Sequence, residues 1–476
     1  MEMECNIKSE ENDESDIAVG GKVQQGPPCE IRLETPIGPV KIDAREAKRA
    51  LDEANKGKGR QLTLAQASVE SHLGGVPGSI SKYWPRGLGE KVMTVLGDYL
   101  EGCWNTDNIT RFTMRGRREE KPSYWIVPTG ESSSVDVPIE ATRMISSKTE
   151  AGRRLVLENS VDCDGDIRLC VLFNEEDRSV ASDLLGGLED FFFENGPLRG
   201  KVFDSDLRFM PRNSGASEKI ILPTGVEKLV DRHLTGFLSL IDRLEGYGIS
   251  SNKGVILSGP PGTGKTLLVR SIIENCEMTT ICLSPEKIKR NTISQVYRAA
   301  RKLSPCLVVL EDIDSAGGIH RKISDHPILG EVLQALDGIE DNAGVVTLAT
   351  TNYLENIDDA LRDRPGRIER IITIPVPDAE ARVRLISRLA EEFGIGDWLD
   401  PGWLAGCTEG FTGDWLRNLM QTSRMISLQG GREEVVKSDI EEALGDIEEN
   451  RMVAYKSTPE LPRPMVLAKE TRHSYA

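Results

Sequence analysis

Eight consecutive residues carry the clearest chemistry in this chain: Gly259, Pro260, Pro261, Gly262, Thr263, Gly264, Lys265 and Thr266. Glycines at this spacing let successive backbone N–H groups turn inward around an anion, and a helix that begins at the loop aims its positive end at the same charge. Lys265 is placed to reach the β- and γ-phosphates of a nucleoside triphosphate, and the Thr266 hydroxyl to ligate Mg²⁺. The context fits. Gly254-Val255-Ile256-Leu257-Ser258 precedes the loop as an apolar strand, and a helical pattern runs from Leu267 to Asn275.

Two further strand ends carry acids and an amide. Cys306-Leu307-Val308-Val309-Leu310 is an unbroken apolar run that stops at Glu311-Asp312-Ile313-Asp314. Such a run reads as a strand buried in a parallel sheet, whose carboxyl ends form the ligand crevice. Glu311 and Asp312 then project beside the phosphate loop. One is needed to hold Mg²⁺ through its water shell and one to polarise an attacking water, and the residue types leave the division of roles open. The run Gly344 to Ala349 ends in Thr350-Thr351-Asn352, where the Asn352 amide can bond the attacking water or a γ-phosphate.

Arg364-Pro365-Gly366-Arg367-Ile368-Glu369-Arg370 sets arginines on a turn ahead of a strand from Ile371 to Ile374. Held there, Arg367 and Arg370 suit delivery of a guanidinium to a phosphate that is losing its bridging bond. The turn is expected far from the phosphate loop of its own subunit, so a neighbouring subunit becomes the recipient and a ring is implied. A surface cluster paired with Asp359, Asp363 and Glu369 is the plainer alternative.

The elements that must position these groups are those of an α/β fold. Strands at Val255, Ile281, Leu307, Val345 and Ile372 alternate with helical patterns at Leu267 to Asn275, Ile288 to Leu303 and Pro327 to Leu336, which predicts a parallel sheet with crossover helices over 219–377. Glu380 to Phe393, Asp414 to Leu428 and Ser438 to Glu449 predict a small helical lid over 378–452, and 453–476 reads as a flexible tail. Upstream, 1–29 reads as a disordered acidic lead and 30–210 as an α+β amino-terminal module. That module is expected to hold helices at Ala44 to Asn55, Lys91 to Cys103 and Asp177 to Asn195, and strands at Asn108 to Met114 and Ser123 to Val127. A hairpin of Arg153 to Glu158 with Ile167 to Phe173 and a strand near Lys201 to Phe209 complete it. Of Phe191, Phe192 and Phe193, two are expected in the core. Pro211 to Ser217 is small and polar, and reads as a linker.

The chain has 476 residues, enough for several domains, and a formal charge of -17, which argues against nucleic acid as a partner. Nine scattered cysteines read as reduced thiols, and the five histidines form no ligand-spaced cluster with them, so no zinc site is expected. No apolar run approaches a membrane span, and a cytoplasmic location with no membrane partner is the expectation.

Together these motifs resemble the AAA family of ring ATPases over about residues 220 to 450. The resemblance also rests on Leu333-Gln334-Ala335-Leu336-Asp337-Gly338-Ile339 and on Glu409-Gly410-Phe411-Thr412-Gly413-Asp414-Trp415-Leu416. It implies ATP and Mg²⁺ as cofactors, a homo-oligomeric ring, expected to be a hexamer, and coupling of hydrolysis to remodelling of an unidentified protein client. By the same resemblance Asn352 is a first sensor, Arg367 and Arg370 are arginine fingers acting in trans, Gly248 and Ile249 flank the adenine, Thr412, Gly413 and Asp414 lie in the lid near the nucleotide, and Leu267 belongs to the nucleotide-binding set. The order Glu311-Asp312, where Asp-Glu is usual, is similar to the branch containing the mitochondrial translocase of the folded Rieske protein. The usual aromatic threading loop is missing from Ser284 to Arg290, and the sequence contains no His-Glu-x-x-His. A nucleic-acid-acting ATPase and a nucleotide-gated scaffold with little turnover are the alternatives.

Overall fold

The computed structural model describes residues 30–35, 38–43, 62–113, 115–217, 220–287, 292–314, 342–354 and 369–457. The acidic lead, the helices expected at Ala44 to Asn55 and Pro327 to Leu336, the Leu333 to Ile339 motif, Arg367, and the tail from 458 onward lie outside these residues. Strands β1 (Glu30–Thr35) and β2 (Gly38–Asp43) form an antiparallel hairpin in a unit of its own.

Helix α1 (Leu64–Leu73) opens the amino-terminal module. A seven-stranded antiparallel sheet follows, built from β3 (Gly78–Trp84), β4 (Trp104–Thr113), β5 (Arg118–Glu120), β6 (Ser123–Pro128), β7 (Ser134–Ser147), β8 (Arg154–Val161) and β9 (Ile167–Phe173). Its order is β3-β9-β8-β7-β4-β5, with β6 on β7. Strand alternation sorts the side chains. Leu155 and Leu157 join the large core with α2 (Arg86–Thr94), α3 (Leu96–Cys103) and α4 (Arg178–Asn195), whereas Val156 packs beneath Val69 and Leu73 of α1 on the opposite face. Phe192 and Phe193 are buried, and Phe191 packs its ring 5.4 Å from Tyr99.

The second sheet is parallel and has six strands: β10 (Val202–Asp204), β11 (Lys253–Ser258), β12 (Thr279–Leu283), β13 (Cys306–Leu310), β14 (Val345–Thr351) and β15 (Arg370–Thr373), in the order β10-β12-β13-β14-β11-β15. Short α5 (Thr224–Val230), α6 (Gly236–Leu244) and α7 (Lys265–Glu274) cover one face, and α8 (Thr292–Lys302) covers the other. The strands are buried on both sides, as their apolar runs require. Helices α9 (Ala379–Glu392), α10 (Pro401–Cys407), α11 (Gly413–Gln429) and α12 (Lys437–Ser457) make the lid around a separate core of Leu404, Phe411, Leu416, Met420 and Ile440. Asp378 and Thr412 cap α9 and α11, and Arg384 ties the lid to the sheet domain through Glu227 (3.1 Å) and the Leu222 carbonyl (2.6 Å). Among the described residues no helix is long and apolar enough to cross a membrane.

Two sequence-based boundaries differ from the structure. The strand expected in the amino-terminal module near Lys201 to Phe209 pairs instead with β12, as the edge of the parallel sheet. Pro211 to Ser217 is no free linker. The Arg212 guanidinium donates to the carbonyls of Gly200, Ile273 and Met278 (3.0, 3.0 and 2.9 Å), and the amides of Ser214, Gly215 and Ser217 donate to the Glu274 carboxylate (2.9, 2.7 and 2.6 Å). Bonds from Ser217, then from Gly215 and Ser214, hold that carboxylate down at about 2. A small, polar segment reads as a linker, and only the carboxylate at the end of α7 reveals its anchor.

The two sheets share one core. Leu188, Phe192 and Phe193 of α4 lie in the same cluster as Ile293, Val296 and Tyr297 of α8 and as Val308 of β13. Lys302 adds ion pairs to Glu189 (3.3 Å) and Asp190 (3.2 Å), worth little at a surface, so apolar burial carries the joint. Leu188→Ala is therefore expected to cost about 2–4 kcal/mol and to lower the stability of both sheets in one calorimetric transition. Two separated transitions, with only the first shifted, would show that the modules melt independently.

Candidate nucleotide-binding site

Strand β11 ends at Ser258 and α7 begins at Lys265, so Gly259 to Gly264 form the loop between them. A Cβ on Gly259 would fall 2.1 Å from the Ile374 carbonyl oxygen, and one on Gly262 (φ +78) would meet the Thr412 hydroxyl at 2.8 Å. Glycine at these two positions lets β15 and the lid close onto the loop. The Lys265 ammonium donates to the carbonyls of Gly259 (2.7 Å) and Pro260 (2.8 Å), and the Thr263 hydroxyl donates to Pro260 (2.9 Å). Burial lowers the Lys265 pKa, against the opposing charges of Asp312, Asp314 and Asp414.

A cavity of about 580 Å³ opens on this loop. Pro261, Gly262, Thr263, Gly264, Lys265, Thr266 and Leu267 line it on one side, and Asp312, Asn352 and Gly413 converge from β13, β14 and α11. Its size suits a small ligand, and its donors sit at a helix start with a hydroxyl and a carboxylate at hand, which fits a triphosphate with Mg²⁺. Among the described residues no group of three or more His, Cys, Asp or Glu side chains is placed to hold a metal by itself, so a cation here would draw its ligands from the phosphates and water as well as from Thr266 and Asp312.

The two acids part company. Leu307 and Val309 face α7, and alternation carries Glu311 to that same side, where the charge of Arg270 acts on it. Burial raises the Glu311 carboxyl, opposed by Arg270, and Glu311 is not among the cavity-lining residues. Asp312 is. Its backbone has φ 45°, its amide donates to the Thr350 hydroxyl (2.9 Å), and the Asn352 side-chain amide donates to its carboxylate at 3.4 Å. The Asn352 backbone amide is fixed in turn by Asp314 (3.2 Å).

Gly248 and Ile249 do not reach the site, which corrects their assignment to the adenine. They precede β11, whereas the loop follows it, a separation of roughly 20 Å along a six-residue strand. Ile249 is exposed, and Ile220, Ile221, Leu385 and Leu389 supply the apolar wall instead. Ile220 and Ile221 follow the polar stretch and lacked any periodic signal. Arg270, Arg388 and Arg417 also line the cavity without having been singled out, because arginines on a helix ordinarily read as its solvated face. Arg370 pairs in register with Val255 at the amino end of the sheet, exposed and away from its own loop. Arg367 lies outside the described residues.

A family model described as the ATPase family associated with various cellular activities (AAA) matches residues 255–376. The ATP-dependent zinc metalloprotease FtsH 2 of Salinibacter ruber (strain M8) is 32% identical over 225 residues, covering 44% of this chain and 33% of that protein. The ATP-dependent zinc metalloprotease YME1L1 of Homo sapiens is 30% identical over 200 residues, covering 40% of this chain and 26% of that protein. The chain thus spans about a quarter to a third of the length of these curated relatives.

Proposed function

We propose that copies of this chain, whose residues 255–376 match the AAA family model and form an ATPase domain with ATP and Mg²⁺ as its cofactors, assemble into a ring, a hexamer in our reading, that hydrolyses ATP to remodel a protein client. The observation that carries the hydrolytic part is the Asp312–Asn352 pair facing the cavity opposite Lys265 and Thr266. When bound, Mg²⁺-ATP supplies the scissile phosphoanhydride and a cation that draws charge from it. Lys265 would exchange the loop carbonyls for phosphate oxygens, and Thr266 would hold the cation. Glu311, outside the cavity lining, would act on it through the charge it places behind Asp312. Asp312, oriented by Asn352, takes the proton of the attacking water.

The position of Arg370 supports the ring. A guanidinium at the amino end of the sheet cannot serve its own loop, whereas a neighbour's loop could receive it. Arg370→Ala is expected to spare ATP binding and to lower turnover at least tenfold. Mixing it with Lys265→Ala protein should restore part of the activity, since some interfaces then join an intact loop to an intact arginine. Absence of rescue in verified mixed assemblies would show that Arg370 acts within its own subunit or serves structure.

Client handling follows from the shared core. The amino-terminal module is packed onto the ATPase sheet, so changes of nucleotide state move each subunit's module with its ATPase core, without a hinge between them. Lys287, ahead of the segment where threading loops lie in the family, is pinned to Asp204 and Asp206 (both 2.6 Å), which supports action on a folded or surface-bound client over narrow-pore threading. The protease activity in the relatives' names is not carried over, because the 476 residues contain no His-Glu-x-x-His.

A further inference from the structure

We propose that Asp414 reads the ribose of the bound nucleotide, which makes lid helix α11 a discriminator between ribonucleotides and deoxyribonucleotides. The inference rests on the nucleotide reading above and extends it to specificity. The cavity has two kinds of wall, with Lys265, Thr266 and Asp312 at the phosphate end and Ile221 and Leu389 on the apolar side. Asp414 stands where the lid meets the loop. Its amide donates to the Gly262 carbonyl at 3.2 Å, and its Oδ2 lies 3.0 Å from where a Cβ on Gly262 would sit.

Phosphates drawn onto the start of α7 and a base drawn to the apolar wall leave the sugar between them, at this junction. The Asp414 side chain is exposed within the cavity lining and makes no ion pair among the described residues. Its helical neighbour Arg417 is engaged with Glu392 by two bonds (2.6 and 2.9 Å). The charges of Lys265 and Arg417 act on this carboxylate and offset part of its repulsion by phosphates. Of the donors ATP offers, the ribose hydroxyls and the adenine amino group, the hydroxyls lie nearer the phosphates and are the ones a carboxylate at this junction meets, as in dinucleotide sites. The plainer role, an acid favoured in the first turn of a helix, involves no contact with the sugar.

Titration calorimetry of the full chain in Mg²⁺ with ATP, 2′-deoxy-ATP and 3′-deoxy-ATP tests this. The unaltered chain is expected to bind ATP at least about tenfold more tightly than one of the deoxy analogues, a ratio that shrinks in Asp414→Asn and approaches one in Asp414→Ala. Equal binding of all three by the unaltered chain, or a ratio that persists in both variants, overturns the ribose inference while the nucleotide site stands. A uniform gain in affinity for all three with the ratio unchanged overturns it too, because the carboxylate would then act only as a repelling charge. Failure of the unaltered chain to bind ATP at all overturns both readings.

Discussion

Replacing Lys265 by alanine is expected to weaken ATP binding by about 100-fold or more while the protomer stays folded. The lysine ammonium bonds the loop itself and lines the cavity, and bonds from a charged donor to phosphate are the strong ones in such a site. The structure adds a second, smaller effect. Lys265 already bonds the Gly259 and Pro260 carbonyls, so its removal takes a charged donor from both even without nucleotide, and only the Pro260 carbonyl keeps a second donor, the Thr263 hydroxyl. That loss is about 1–3 kcal/mol, a fall of several degrees in melting temperature and far short of unfolding. Calorimetric titration and a thermal melt separate the two effects. Unchanged ATP affinity would remove the phosphate-loop assignment, and a lysine with no structural partners would leave the melting temperature untouched.

Asp312→Asn is expected to leave ATP bound and to lower kcat by about 10³-fold, the scale of a lost general base. Asparagine fits the backbone, since it tolerates positive φ well, and it keeps the size of the side chain that faces Asn352. What it loses is the ability to take a proton. Glu311→Gln should behave differently. Its carboxyl lies on the α7 side with Arg270, so the expected defect is a raised Mg²⁺ requirement with a smaller change in kcat at saturating Mg²⁺. Burial raises the Glu311 pKa, which means it protonates earlier than an ordinary glutamate on acidification and the Mg²⁺ requirement of the unaltered chain rises as pH falls. Steady-state kinetics across Mg²⁺ and pH check both statements. Loss of turnover in Glu311→Gln at saturating Mg²⁺, with Asp312→Asn still active, would exchange the two roles.

Some of this was legible because it is local. Glycine spacing, the helix behind it, and apolar strands ending at Glu311 and Asn352 need no knowledge of distant neighbours, and they placed the phosphate end of the site and the parallel sheet that holds it. The helical periods from Glu380 to Glu449 likewise predicted the lid, because one apolar stripe per helix suffices to write that pattern. Other features needed the fold. Strand β7, with 14 residues, the longest strand described, escaped notice because its burial alternates only in part. A three-residue strand such as β10 has too few side chains to announce its partner, so only backbone pairing assigned it to the ATPase sheet. Ile249 and the Ile220-Ile221 pair are all apolar candidates on paper. Which of them lines the cavity depends on which end of β11 each approaches, and that is set by the path of α5 and α6 across the sheet. The residue types of Glu311 and Asp312 announced a metal and a water, whereas the faces of β13 send the two side chains to different surroundings, Asp312 to the cavity and Glu311 to the side of Arg270. In each case the residue types set which chemical groups were available, and packing between distant elements set which of them face one another.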